Sequence, residues 1–238
     1  MVFNYKILSC GSEGCTISAE RRRRIANMCK VAGIDNYSFF MWYVEKRSLI
    51  PKDLKFYRTQ YYDHAISVAN LLETALSEKD ILCFFEDDAY FRWDFQSVLE
   101  AHINQLPFDW KILMAGHTGW PYSKEPESYL KLTDLVGTVD YIHGFQCVCF
   151  QAGEWRAKLI NDIKSNKIFY DAHTNNCKWV SSDGRLPAID CLIFPWCREN
   201  NLKIFISNNS FCGQDVGQSL ITDARFIKTV EGFNYVNT

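Results

Sequence analysis

"ILCFFEDDAYF", residues 81–91, runs five apolar residues straight into three carboxylates, Glu86, Asp87 and Asp88, and then back into aromatics. A continuous apolar run of this length reads as a strand buried on both faces, as in the middle of a parallel sheet. In open α/β sheets ligands bind beyond the carboxyl ends of the strands, so the three acids stand where a ligand belongs. Adjacent carboxylates in a partly dry site repel, and one of them either takes up a proton or binds a cation. Mg2+ or Mn2+ takes carboxylate oxygens and keeps positions open for diphosphate oxygens. Side chains alternate in extended backbone, which puts Glu86 and Asp88 on one face and Asp87 on the other. Taken alone, the run reads equally well as a solvated acidic turn with one acid capping the next helix.

The surroundings give the run its context. Residues 5–10, "YKILSC", form a short strand, and "SAERRRRIANMCKVAGI" reads as a helix capped by Ser18. Ile25, Met28, Cys29 and Ala32 make its buried stripe, and Gly33 closes it. "YSFFMWYV" (37–44) is a second strand, so the chain opens β-α-β, which favours a parallel sheet with right-handed crossovers. A helix over 62–77 carries Ala65, Val68, Ala69, Leu72 and Leu76 on its apolar face and leads into the acidic strand. After it we expect a helix near 95–104, a strand at 111–116 and a long loop with a short hairpin at 117–135. A strand at 139–150 and a helix at 153–164 follow. Residues 165–186 read as irregular, Pro187 as the first residue of a helix bearing Asp190, 202–207 as the last clear strand, and 208–238 as a surface tail.

No repeat, low-complexity segment or linker interrupts the 238 residues. The expected fold is α/β: a single domain over 1–238, with a mostly parallel central sheet flanked by helices. Its halves are 1–116 and 117–238. Hydrophobic residues make up 47% of the chain, enough for one large core, and the net charge of −2 argues against strong nucleic-acid binding. No run of about 18 apolar residues marks a membrane span, and peripheral membrane association is left open. The opening "MVFNYKILSC" does not read as a secretory signal. Ten cysteines, several inside apolar runs, read as buried free thiols of a reduced, cytoplasmic compartment. No C-x-x-C occurs, and neither a disulfide framework nor a structural zinc is expected.

These motifs together resemble glycosyltransferase family 25, which includes lipooligosaccharide galactosyltransferases and the collagen galactosyltransferase domain. The resemblance rests on "ERRRRIANMCKVAGI", "YYDHAISVANLLETALSEKDILCFFEDDAYF", "GTVDYIHGFQCVCFQAGEW", "LPAIDCLI" and "GQDVGQSLITD", in order along nearly the whole chain. Two departures stand out: His64 follows Asp63 where the family has Ser-His, and the strand 139–150 carries His143 and two cysteines. The resemblance implies a glycosyltransferase-A fold, Rossmann-like, with residues 1–116 binding the sugar nucleotide and 117–238 serving the acceptor. It implies a UDP-sugar donor and transfer of galactose or glucose to a glycan or glycoconjugate hydroxyl, usually with inversion. Glu86-x-Asp88 would be its Asp-x-Asp equivalent.

On that basis Asp88 and Glu86 are the expected ligands of Mn2+ or Mg2+, with Asp87 assisting at the donor. Asp190 is the expected general base, with Asp183 and Asp215 as its rivals. Ser9, Cys10 and Gly11 are expected near the uridine. Most of Arg21–Arg24 reads as a solvated helix face; one of them, taken as Arg24, is expected at the donor phosphates. His117, Trp120 and Tyr122 are acceptor candidates on the long loop. Tyr90 and Trp93 read as sugar-stacking or core residues, and Gln214 and Ser219 as a closure over the donor. His102 and His143 read as structural. Competing functions are transfer to a modified nucleobase of DNA, a silent nucleotide-sugar-binding module, and a phosphohydrolase or nucleotidyltransferase. The lack of a basic stripe argues against the first, the intact acid run against the second, and the absence of a P-loop glycine run against the third.

Overall fold

The computed structural model describes residues 1–11, 16–42, 50–76, 79–117, 129–140, 144–175, 177–209 and 211–214. β1 (Phe3–Cys10) leads through α1 (Thr16–Val31) to β2 (Tyr37–Trp42), and α2 (Gln60–Thr74) leads on to β4 (Ile81–Glu86). β1 pairs in parallel with β2 on one side and with β4 on the other. The two crossovers cover opposite faces. Phe3, Tyr5 and Ile7 pack with Ile25 and Cys29 of α1. Leu8 and Cys10 pack in the core that holds Ala65, Val68 and Leu72 of α2. The chain thus leaves β1 over one face and returns to β4 over the other. In open α/β sheets it is at such a switch of direction, beyond the carboxyl ends of the two strands, that ligands bind.

α1 ends as its sequence predicts. Gly33 takes φ 69°, the Ile34 N–H donates to the Cys29 carbonyl at 2.8 Å, and the Gly33 N–H donates to Lys30 at 3.3 Å. That is the paired closure a left-handed glycine permits. The start differs from expectation. Ser18 is buried within the helix, which begins at Thr16, so it is not the cap.

β9 (Cys147–Phe150) enters antiparallel between β4 and β6 (Ile112–Gly116). β6 is parallel to β11 (Ile204–Ser207), and the hairpin β7 (Leu130–Lys131)–β8 (Val136–Thr138) closes that edge through β8. After the acids, β5 (Ala89–Phe91) pairs antiparallel with β12 (Cys212–Gln214), which also meets β6 at Gly116. β3 (Lys55–Phe56) and β10 (Arg185–Leu186) form a separate parallel ribbon. α3 (Phe95–Ile103) packs on the α1 face; α4 (Trp155–Lys164), α5 (Lys167–Thr174) and α6 (Ile189–Glu199) pack on the α2 face. Arg156 of α4, 1% exposed, donates to the carbonyls of Ala75, Asp80, Phe150 and Gln151. It ties α4 to the segment that feeds β4.

The sheet is mixed rather than mostly parallel. A strand buried on both faces, such as "CVCF", carries no sign of its direction, so sequence alone left β9 unassigned in this respect. β9 is also shorter than the expected strand at 139–150. Residues 165–186 are not irregular throughout: α5 buries Ile168, Phe169 and Ala172. Pro187 lies before α6 rather than at its first position, since Ala188 is the extended residue at the cap and the helix begins at Ile189. The tail contains β12. Among the described residues no helix is long and apolar enough to cross a membrane.

Gly116 is where β12 approaches. A Cβ there would meet the Cys212 Cβ at 2.8 Å, the Cys212 carbonyl at 2.9 Å and the Cys147 amide at 3.0 Å. Two of those contacts are backbone, which cannot rotate away. Gly116→Ala is therefore expected to cost about 1–3 kcal/mol by overpacking, read as a lower urea midpoint with an unchanged slope. An unaltered midpoint would show that β12 yields at no cost.

Candidate functional site

The acids sit at the carboxyl end of β4, beside the carboxyl end of β1. Alternation along β4 sends Leu82 and Phe84 to the α2 face and Cys83 and Phe85 to the α1 face. Glu86 continues on the α2 side, where His64 Nε2 lies 3.1 Å from its carboxylate. The His64 ring stands edge-on to Trp42, with centroids 6.3 Å apart. Asp87 continues on the α1 side. Its N–H extends the ladder to the Leu8 carbonyl at 3.0 Å. Its carboxylate accepts the Ser9 hydroxyl at 2.6 Å and faces Arg21 at 3.5 Å. At Asp88 the alternation stops, because the chain turns toward β5. Asp88 lies 3.7 Å from the same Arg21, rather than sharing a face with Glu86 alone.

The arginines divide. Arg21 is buried against the acids, and Arg22 donates to Ser9 Oγ at 3.1 Å and to the Cys10 carbonyl at 2.9 Å. Arg24, the one expected at the donor, lies over the Tyr90 ring at 5.9 Å. The Gly11 N–H donates to the Trp42 carbonyl at 2.6 Å, which fixes the exit from β1. Arg21 stands four residues before Ile25 and eight before Cys29, so it continues the buried stripe of α1. That phase was the signal for choosing it. His64 likewise sits four residues before Val68, on the buried stripe of α2.

Burial raises the pKa of Glu86; His64 opposes this, while Asp88 and Asp190 add to it. Burial also raises Asp87; the Ser9 bond and Arg21 oppose this, while Asp88 adds to it. Three carboxylates against one guanidinium and one imidazole leave an excess of negative charge. The donor set suits a hard divalent cation for that reason: all-oxygen ligands with charge to be neutralised.

Asp190 is half-buried in the first turn of α6. Its Oδ2 accepts the Gly144 N–H at 3.2 Å and its Oδ1 accepts the Cys191 N–H at 3.0 Å. It lies close enough to Glu86 to oppose that residue's ionisation, and close enough to Tyr61 to oppose the ionisation of that phenol too. Asp183 does not join this group. Its side chain is 55% exposed and pairs with Arg185 at 2.8 Å and with Ser181. His117 is buried, with Nε2 bonded to the Ser207 carbonyl at 3.0 Å, so it is not a loop residue open to an acceptor. Trp93 is exposed and Tyr90 half-buried. Gln214 belongs to β12. Asp215, Trp120, Tyr122, His143 and Ser219 lie outside the described residues.

The sequence matches no family profile and no curated protein. Several solved structures are similar to it. One is a glycosyltransferase involved in glycosylation of the major capsid of PBCV-1 (14% identity, TM-score 0.38, 75% of this chain and 71% of that one). A second is the catalytic domain of Drosophila β1,4-galactosyltransferase 7 in complex with xylobiose (12% identity, TM-score 0.41, 96% and 82%). A third is a nucleoside-diphosphate-sugar pyrophosphorylase from Vibrio cholerae (12% identity, TM-score 0.40, 87% and 72%). At these scores the likeness decides neither family nor activity.

His102 and His117 are both tied to β11. His102 bonds the Val98 carbonyl through Nδ1 at 2.7 Å and the Ser207 hydroxyl through Nε2 at 2.9 Å. Burial lowers the pKa of both rings, against their bonds to backbone carbonyls. In the unfolded chain each titrates near about 6.5. Their contribution is thus complete above that pH and is lost as pH falls through the lower folded values. We expect the melting temperature to drop from pH 7.5 toward pH 5, with a shallower drop in His102→Gln. Equal slopes in the two proteins would remove His102 as a source.

Proposed function

We propose that this chain is a UDP-sugar-dependent glycosyltransferase that moves a hexose, galactose or glucose, to a hydroxyl of a glycan or glycoconjugate. One observation carries the reading: at the switch point between β1 and β4, Ser9 bonds Asp87 while Glu86, Asp88 and Asp190 gather around the same strand end. A crevice there suits a nucleotide, and excess carboxylates suit a cation on its diphosphate. Family 25 membership remains the finer part of this proposal, supported by the motifs quoted above.

In this reading Asp88 and Glu86 hold Mn2+ or Mg2+, which when bound neutralises the charge developing on the leaving diphosphate. Ser9 and Asp87, locked together, orient the nucleoside against the end of β1. Arg22 holds the Cys10 carbonyl and Ser9 in place for the same purpose. Asp190 takes the proton of the acceptor hydroxyl as its oxygen bonds the anomeric carbon and the bond to diphosphate breaks, with inversion. The Gly144 and Cys191 amides fix the direction of that carboxylate. His64 holds Glu86 from behind as a positioning residue.

Two measurements test this. UDP-galactose or UDP-glucose with Mn2+ should raise the melting temperature, while either alone should do so much less, and Asp88→Ala should abolish the joint effect. No response to any UDP-sugar would overturn the reading. Asp190→Asn should keep that thermal shift and lose roughly 10²- to 10⁴-fold in transfer rate. Unchanged transfer would remove Asp190 as the base.

A further inference from the structure

Three thiols meet behind the acidic turn, on the α1 face of the sheet. Cys83 of β4 and Cys149 of β9 are direct cross-strand partners, and Cys147 lies two residues along β9 on the same face. Their sulfurs are 3.4 Å (Cys83–Cys149) and 3.7 Å (Cys83–Cys147) apart, and all three lie within 4.8 Å of one another. Each of these residues is 0% exposed. Cys212 of β12 comes up beside them, since Gly116 is the register partner of both Cys147 and Cys212. A second, independent feature lies beside the group on the same face. Tyr5 of β1 is the register partner of Cys83, 1% exposed, and its hydroxyl is buried with no hydrogen-bond partner among the described residues. A buried hydroxyl left unbonded is costly and calls for an explanation.

We propose that Cys83, Cys147 and Cys149 hold a thiophilic d10 cation, Zn2+ in the first instance. Cys212 is placed to supply a fourth sulfur, and the Tyr5 hydroxyl donates to a bound thiolate. A tetrahedral zinc with Zn–S of about 2.3 Å has S···S edges of about 3.8 Å, close to the separations of these unligated thiols. Three soft sulfurs with no carboxylate or imidazole among them select this class of ion over the hard cations of the acidic turn. Uptake balances as three thiols plus Zn2+ giving one zinc tris-thiolate, with net charge −1, and three protons released. The Tyr5 O–H offsets part of that residual charge. With every ligand fully buried, the ion enters as the chain folds. It would fasten β4 to β9, and through Cys212 to β12, beneath the acids. This holds whether or not the chain transfers sugar.

The test is the metal content of the full chain produced in zinc-supplemented medium and dialysed against EDTA to strip hard cations. We expect about one zinc per chain, retained in the native protein and released on denaturation. Refolding with Co2+ in place of zinc should give thiolate-to-cobalt charge-transfer absorption in the near ultraviolet. Cys149→Ser should lose both signals, while Cys29→Ser, a buried cysteine of α1 outside the group, should keep them. Zinc below roughly a tenth of an equivalent in the unmutated protein, together with no cobalt band, overturns the proposal even if the variants fail to fold. A native mass showing a disulfide between Cys83 and either partner overturns it as well.

Discussion

The hydrogen bond from Ser9 to Asp87 joins the ends of two neighbouring parallel strands through their side chains, and the site is arranged around it. The backbone ladder has already carried β4 one residue past its end, through the Asp87 N–H to Leu8. The Ser9 bond then pins the carboxylate on the α1 side, so the chain must turn at Asp88. A carboxylate buried there without such a partner would be strongly disfavoured. With it, Asp87 is held on the α1 side, while Glu86 lies on the α2 side beside His64 and Asp88 stands beside Arg21. Arg22 holds Ser9 from the other side, so the bond is itself braced.

Part of the repulsion among three adjacent acids is answered by the protein itself. Arg21 comes from α1 over one face and His64 from α2 over the other. The two crossovers of the opening β-α-β-α-β therefore each deliver one cationic or polarisable partner to the same strand end. In the proposed enzyme this narrows what a cation would have to do, because the acids are already partly neutralised and held in shape. It also gives the arginine run of α1 a place, since Arg21, in the second turn of the helix, faces the switch point.

Much of this architecture was legible in the sequence. The apolar run at 81–85, the stripe Ile25–Cys29 and the closing Gly33 each reflect a local rule, and each element formed where its pattern placed it. What escaped was non-local. The direction of β9 depends on its neighbours, because a strand apolar on both sides is the same read from either end. β12 has three residues and no pattern of its own; it exists because β5 and β6 leave ladder groups to be met. That Arg21, rather than Arg24, meets Asp87 and Asp88 follows from its spacing to Ile25 on the buried stripe. The burial of His117 is equally non-local, since the carbonyl it bonds belongs to Ser207, ninety residues away. α5 was missed because a single buried turn among polar residues gives too short a period to count.

β12 has a consequence for how the protein comes into being. The strand that flanks β5, the element continuing directly from the acidic turn, is contributed by residues 212–214. Its partner Ala89–Phe91 is made more than a hundred residues earlier during synthesis. Such a pairing closes a long loop and is among the slower contacts to form. The first three parallel strands and their two helices can assemble as soon as β4 has been made, yet the acids at its end then still lack their outer neighbour. The half-built sheet meanwhile exposes the edge of β4 that β9 later covers, beside the acidic turn. Three adjacent carboxylates at the end of that edge set like charge against the same edge of a second nascent chain, which disfavours edge-to-edge mispairing.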